Sequence, residues 1–399
     1  MTQVLFDVMP KILAQALITL RENAIMPRLV NADYSTDAAQ KGNVVQVPVP
    51  TKMSATDVVP AAYSQSTPDL QLDTVPVPLN YWKESSFQLS DKDLNEVMDG
   101  AVSMQVVEAA RAIANEVDKS ILGLYKGIWN YAGTAGTTPF ASDLSAALTA
   151  RKLLNNNNAL LTDRRIVLNT DAEANALGLP AFQQYLQAGT DVTIKEGQIG
   201  RKLGMDWFLD QLAPTHTAGT VTTAITTALP VTTSTVDASN PQLHNPRTTY
   251  SVACDSAGNA KTIVVGDVFT VSGDTQTYVV TAAATSGASG TASAQTLSVS
   301  FSPAPKVAWA IGSTLTLKAS RAINLAFHRD SFALAVRPLQ QSEYIGQLGG
   351  SQFMTMVDPL TGIPLRLEVR QEYKRIRWAL DCLWGVGLVR PETAAVIAG

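Results

Sequence analysis

Three histidines, two cysteines and a run of closely spaced glycines carry the most distinctive chemistry in this 399-residue chain. His216, His244 and His328 could ligate zinc or iron if two of them shared a helix face, as HxxxH or HExxH spacing arranges. They are widely separated and form no such pair, so each reads as a surface or turn histidine. Cys254 and Cys382 form no CxxC, and two cysteines in a chain of this length make no disulfide framework. Both read as reduced. Cys382 sits in the apolar stretch 380–389, surroundings that raise a thiol's pKa and leave it inert. Cys254 lies in a β-like segment with no histidine beside it. Gly197-Gln198-Ile199-Gly200, followed by Gly204, resembles a phosphate loop at first sight. A phosphate loop opens a helix whose N-terminus faces the anion. Strand-like residues 205–209 follow here instead, so these glycines read as turn positions. The chain has no GxSxG and no GK[ST]. The carboxylates Glu96 and Asp99 read as solvated helix surface. The expectation is no catalytic residue, no metal ligand, no cofactor-binding residue and no cofactor.

The elements that would position any site are clearer. Ser90 can cap a helix, with Asp91 and Asp93 in its first turn. From there Leu94, Val97, Ala101, Met104, Val107, Ala110, Ile113, Val117, Ile121, Leu124 and Ile128 recur at three- and four-residue steps. Glu108, Arg111, Asn115, Asp118 and Lys119 fall opposite. This predicts a helix of about ten turns, roughly 55 Å long. Ahead of it, Ile12, Leu13, Ala16, Leu17, Leu20 and Ala24 mark one face of an amphipathic helix. Residues 44–90 read as extended chain, framed by Val47-Pro48-Val49-Pro50 and Val75-Pro76-Val77-Pro78. Proline has no N–H for a ladder, so these strands read as edges, in a two-stranded arm that reaches over a neighbour.

Beyond the long helix, Ser142 or Asp143 opens a helix through Leu144, Leu148 and Leu153 that ends in the asparagine run 155–158. A buried strand Arg165-Ile166-Val167-Leu168-Asn169 and a helix from Asp171 to Leu177 follow, then a strand-like Val192-Thr193-Ile194. This alternation suggests an α+β domain. The composition changes near 215. The ninety positions 215–304 hold six charged residues, less than half the density of the whole chain at 16%. Alternating patterns at 262–265, 268–271, 277–281, 297–301 and 315–318 predict half-buried antiparallel strands, a small barrel or sandwich inserted into the parent domain. Residues 323–327 then read as a strand, His328-Arg329-Asp330 as a turn, and 352–357, 364–373 and 375–389 as further strands.

The bulk composition, 46% hydrophobic and 16% charged, is that of a folded protein of two or three domains. A net charge of −4 argues against gripping nucleic acid through a basic surface, though not against enclosing it. The apolar N-terminal stretch, residues 12–20, contains Gln15, lacks a basic cluster before it and has no small-residue cleavage site after it, so no signal peptide is expected. No run is long and apolar enough for a membrane span.

The order of these parts resembles the Hong Kong 97-type capsid fold of tailed double-stranded DNA bacteriophages. Within it the chain is most similar to the P-twenty-two-type coat proteins, which carry an inserted β domain. The helix from Ser90 to Ile128, with Glu116, Asp118 and Leu122, looks like the spine helix. Residues 197–207, from Gly197 to Trp207, resemble the glycine-punctuated segment before the insertion, and Gly266-Asp267-Val268-Phe269-Thr270-Val271-Ser272-Gly273 is similar to a strand within it. Asn324-Leu325-Ala326-Phe327-His328-Arg329-Asp330-Ser331-Phe332-Ala333-Leu334-Ala335 is similar to the segment where the chain re-enters the body. The insertion is richer in Thr, Ser and Ala than the family pattern.

The resemblance implies an N-terminal arm at 1–43, an extended β loop at 44–89 and the spine helix with an α+β body at 90–214. It implies an inserted β domain at 215–320 and a return into the body at 321–399. It also implies a non-enzymatic major capsid protein that builds hexamers and pentamers into an icosahedral shell around DNA, without sequence-specific binding and without a membrane. The implied location is the virion, with assembly in the host bacterial cytoplasm. The implied partners are copies of the chain, a scaffolding protein or domain, a portal and decoration proteins. Two alternatives stand beside it: an encapsulin-like cargo shell of the same fold, and a surface or adhesion protein with an Ig-like domain.

Overall fold

The computed structural model describes residues 2–33, 43–49, 55, 57, 73–90, 101–184, 195–221, 225–227, 248–254, 261–286, 295–305, 309, 313–339, 351–358 and 361–399. In chain order these form α1 (Thr2–Asn23), β1 (Val44–Val49), β2 (Asp73–Pro78), β3 (Tyr81–Ser90), α2 (Ala101–Leu122), β4 (Tyr131–Gly133), α3 (Ser145–Asn156), β5 (Arg164–Leu168), α4 (Thr170–Gly178), α5 (Pro180–Gln183), β6 (Arg201–Lys202), β7 (Met205–Leu209) and β8 (Thr215–His216). Strands follow: β9 (Ile225–Thr227), β10 (Thr248–Cys254), β11 (Thr262–Ile263), β12 (Val268–Val271), β13 (Thr277–Ala282), β14 (Ala284–Thr285), β15 (Gln295–Ser302) and β16 (Thr314–Leu317). The chain closes with β17 (Arg321–His328), β18 (Phe332–Arg337), β19 (Ser351–Val357), β20 (Pro364–Glu372), β21 (Arg375–Leu388) and β22 (Ala394–Ala398).

A seven-stranded sheet runs in the order β4-β22-β17-β5-β7-β6, with β8 also paired to β17. Successive side chains of a strand point to opposite faces, and here each face meets its own core. Val167, Leu325, Phe327 and Val396 face α1 and α2, whereas Ile166, Leu168, Ala326 and Ile397 face α3 and α4. Burial on both faces is why β17 reads as an unbroken apolar run. In the second sheet β21 is central. It pairs with β3 on one side and with β20 and β18 on the other, and β19 lies beyond β20.

The charge-poor region contains a closed six-stranded barrel, β10-β15-β13-β12-β16-β9. Its interior is filled by Phe269, Tyr278, Phe301 and Trp309, with ring centroids 5.2–6.5 Å apart, together with Leu297, Val299 and Leu315. The expected strand at 262–265 is only β11, which pairs with β14 outside the barrel. The expected Val192-Thr193-Ile194 strand lies outside the described residues.

Several expectations shift for physical reasons. Ser90 ends β3, where it lies opposite Arg375, and does not cap a helix. The described helix begins at Ala101 and runs 22 residues, about 33 Å at 1.5 Å per residue, before the 3-10 turn Gly123–Gly127. Residues 91–100 lie outside the described ones. The buried face of α2 is Val106, Ala110, Ile113, Val117 and Ile121, and Met104 is exposed. Small Ala109, Ala110 and Ala114 set this phase, because they let α1 pack closely. In α3 the buried residues are Ala146, Ala147, Ala150 and Leu154, and Leu148 points to solvent. Asp143 opens that helix as expected, its Oδ1 accepting the Ser145 N–H at 2.9 Å. Asn169 caps α4 by accepting the Ala172 N–H at 3.0 Å. The amphipathic helix α1 does not project: Leu13, Ala16 and Leu20 have no exposed surface and join the main core.

Candidate functional site

No described cluster of His, Cys, Asp and Glu could hold a metal ion. His216 and His328 are buried rather than at the surface, and His244 lies outside the described residues. His328 Nδ1 accepts the Asp330 N–H at 3.2 Å, which fixes the turn after β17, and burial lowers its pKa. Cys382 is wholly buried, and burial pushes its thiol up, out of reach of thiolate chemistry. Gly197, Gly200 and Gly204 have φ of 70°, 67° and 74°, turn geometry that suits glycine. They line a cleft of about 410 Å³ with Glu173, Asp206 and Trp207. Burial raises the Glu173 pKa, but no nucleophile or second acid stands beside it in the cleft. The structural features that stand out are therefore contact surfaces and a junction.

The first is the hairpin of β1 and β2. Val47 lies opposite Val75 and Val45 opposite Val77, and all four are buried. They pack on a platform of small residues: Ala333 and Ala335 of β18, which face Gly387 and Gly385 of β21. The glycines are required by close approach. A methyl group at Gly385 would lie 2.4 Å from the Pro78 carbonyl oxygen, and one at Gly387 2.6 Å from Val77 Cγ2. Burying each valine is worth roughly 1.5–3 kcal/mol, so docking fixes the hairpin base firmly.

The prolines occupy the other side of the pattern. Pro48 lies opposite Thr74, Pro76 opposite Gln46 and Pro78 opposite Val44, which places all three in pairs that do not hydrogen-bond within the hairpin. Their nitrogens therefore face the hairpin's outer edges, where an N–H would invite another strand. Pro76→Thr restores such a donor on β2. We expect it to leave the fold intact and to increase self-association before assembly, read by light scattering of the purified subunit.

The second surface is β3, a ten-residue edge strand paired only with β21 among the described residues. Trp82 is 64% exposed on it, held by a hydrogen bond from its indole N–H to Asp381 Oδ2 at 3.0 Å. Asp381 in turn accepts Arg366 Nε–H at 2.9 Å. An open edge with a fixed aromatic is suited to strand addition by another chain.

The junction between barrel and body is a buried chain of hydrogen bonds. His216 Nε2 is 2.8 Å from Asp267 Oδ1, and His216 Nδ1 is 2.9 Å from the Tyr125 hydroxyl. The Asp267 carboxylate also accepts the Gly219 N–H at 3.2 Å and the Val264 N–H at 2.8 Å. An acceptor so occupied calls for an Nε2–H, which leaves Nδ1 to accept from Tyr125. Arg321 donates to the Gly266 carbonyl at 2.9 Å and lies 5.4 Å from the Tyr131 ring centroid. Tyr125 and Tyr131 belong to the body, and Asp267 and Gly266 to the turn leading into β12. The arrangement resembles a catalytic triad only in residue types: His216 is 2% exposed and Asp267 0%, so no substrate reaches it. It acts as a structural pin.

No protein-family model matches the chain, and no curated protein sequence does. Solved structures do. One from Mycobacterium phage Che8 is 15% identical, with 94% of this chain and 90% of that chain covered and a TM-score of 0.51. The capsid structure of cyanophage P-SCSP1u is 11% identical, with 90% and 84% covered and a TM-score of 0.45. The mature capsid of bacteriophage PhiM1 is 10% identical, with 90% and 82% covered and a TM-score of 0.45. At such identities the likeness is one of fold. The chain has the α+β Hong Kong 97-type capsid fold that the order of its parts implies.

Proposed function

We propose that this protein is a major capsid protein that self-assembles into the icosahedral shell enclosing the double-stranded DNA of a tailed phage. The observation that carries this reading is the capsid fold shared over 94% of the chain. In this reading the protein is not an enzyme. The hairpin and the β3 edge contact neighbouring copies, since rings of identical subunits need head-to-tail contacts between different patches. The net charge of −4 suits a wall that encloses DNA without gripping it. The boundaries 1–43, 44–89, 90–214, 215–320 and 321–399 divide the subunit into arm, extended loop, body, inserted β domain and return. The barrel braces the subunit rather than binding a ligand. Scaffolding protein, portal and decoration proteins are the further partners, and assembly takes place in the host cytoplasm before the subunit resides in the virion.

The test is expression of the chain alone and with a candidate scaffold, followed by negative-stain electron microscopy. Closed shells, tubes or rings are expected. A monodisperse monomer under both conditions would overturn the reading, and shells filled with protein cargo would favour an encapsulin-like role. Deleting residues 51–72, which keeps β1 and β2, is expected to leave a folded subunit that forms no shells. Normal shells from that deletion would show that the loop is dispensable for assembly.

A further inference from the structure

Asp118 lies on the buried side of α2 with no exposed surface, among residues that are otherwise apolar. Its Oδ2 accepts the Ile25 N–H at 3.1 Å and its Oδ1 the Met26 N–H at 3.2 Å. Both donors belong to the segment just after α1, so the carboxyl group ties the N-terminal helix to α2. A second carboxyl group, Asp210, faces it from the chain after β7 and is also buried. Asp210 Oδ1 accepts the Leu212 N–H at 2.8 Å, and its Oδ2 has no hydrogen-bond partner among the described residues. Arg28, in the turn Met26–Arg28, is the facing group of opposite charge. The tie thus joins three segments through two enclosed acids.

We propose that α1 is a releasable strap and that Asp118, facing Asp210, is its proton-controlled latch: the strap stays docked while Asp118 holds a proton and loosens as that proton leaves. Two enclosed carboxyl groups cannot both ionise without strong mutual repulsion. Burial is the larger influence, and with Asp210 it lifts Asp118 to about 8, against the opposing pull of the two N–H groups and Arg28. Burial raises Asp210 as well. Release returns Asp118 to water and to its ordinary value of 3.8. A group whose docked pKa is raised favours docking most at low pH. Docking then weakens by about tenfold per pH unit up to the docked pKa and levels off above it. Release uncovers the apolar face of Leu13, Ala16 and Leu20. The latch stands whether or not the chain builds shells, so its failure and that of the capsid reading are separable.

Hydrogen–deuterium exchange of the full chain between pH 5 and 9, corrected for intrinsic exchange, tests it. Protection of amides 13–20, relative to that of β17, is expected to fall by up to about tenfold per pH unit and to level near pH 8. Asp118→Asn keeps an acceptor oxygen and cannot ionise, so its protection is expected to be flat with pH. In Asp210→Asn the levelling point is expected to move to lower pH. Wild-type protection that does not change with pH, or a wild-type slope in Asp118→Asn, would overturn the proposal. Should Asp118→Asn fail to fold, Asp210→Asn decides, and an unmoved levelling point counts against the latch.

Discussion

Asp267→Ala is expected to be among the most destabilising single substitutions in the chain, costing on the order of 3–5 kcal/mol. Asp267 has no exposed surface and accepts from His216 Nε2, Gly219 and Val264 at once. Truncation strands these donors in a dry site, and each buried donor without a partner costs about 1–3 kcal/mol. The loss falls on the seam between barrel and body, because Gly219 lies in the strand-to-barrel crossing and Tyr125 at the end of the spine. Asp267→Asn offers one acceptor oxygen but turns an amide N–H₂ on some of the same donors, so an intermediate cost is expected. Urea unfolding followed by tryptophan fluorescence reads the effect, with Trp129 on the body side of the seam and Trp309 within the barrel. An unchanged unfolding midpoint in Asp267→Ala would show that the network does not hold the seam.

The parts of the fold that announce themselves in sequence are those with local causes. Alternating Val and Pro at 47–50 and 75–78 specify a two-stranded hairpin, because proline nitrogens are tolerated only at an edge and the valines between them share one face. Leu297, Val299 and Phe301 alternate with serines and duly line the barrel. What stayed hidden depends on distant partners. Asp118 reads as solvated helix surface, yet it follows Val117 and lies between Ala114 and Ile121 on the buried stripe. Its reason for being there is the backbone of Ile25 and Met26, more than ninety positions away. His216 reads as a surface residue for the same reason: Tyr125 and Asp267 enclose it from opposite directions in the sequence. The platform for the hairpin did leave a signal. Gly385 and Gly387 alternate within a strand otherwise rich in large apolar residues, and glycine in a strand interior marks close approach of another backbone.

Gly385→Ala is expected to undock the hairpin while leaving the body folded. The added methyl would sit 2.4 Å from the Pro78 carbonyl oxygen and 2.9 Å from its carbonyl carbon. Both are backbone atoms, held by the β1–β2 ladder and by the hydrogen bond from Leu79 N–H to the Asn43 carbonyl at 2.9 Å, so no side-chain rotation relieves the clash. Either β21 or the hairpin must move, and β21 is fixed by pairing along both edges. The hairpin is the element that yields, which exposes Val47 and Val77. Overpacking of this kind costs about 1–3 kcal/mol, a small share of the stability of a chain with several cores but comparable with what docks a two-stranded ribbon. The separation between folding and assembly should therefore be wide: near-native circular dichroism and unfolding midpoint, with increased binding of an apolar dye and few or no closed shells by electron microscopy. Gly387→Ala meets only the Val77 side chain, at 2.6 Å from Cγ2, and should be milder because a valine can shift where a carbonyl cannot. Equal yields of shells from wild type and Gly385→Ala would mean that the hairpin's docking on its own subunit is not what presents it to a neighbour.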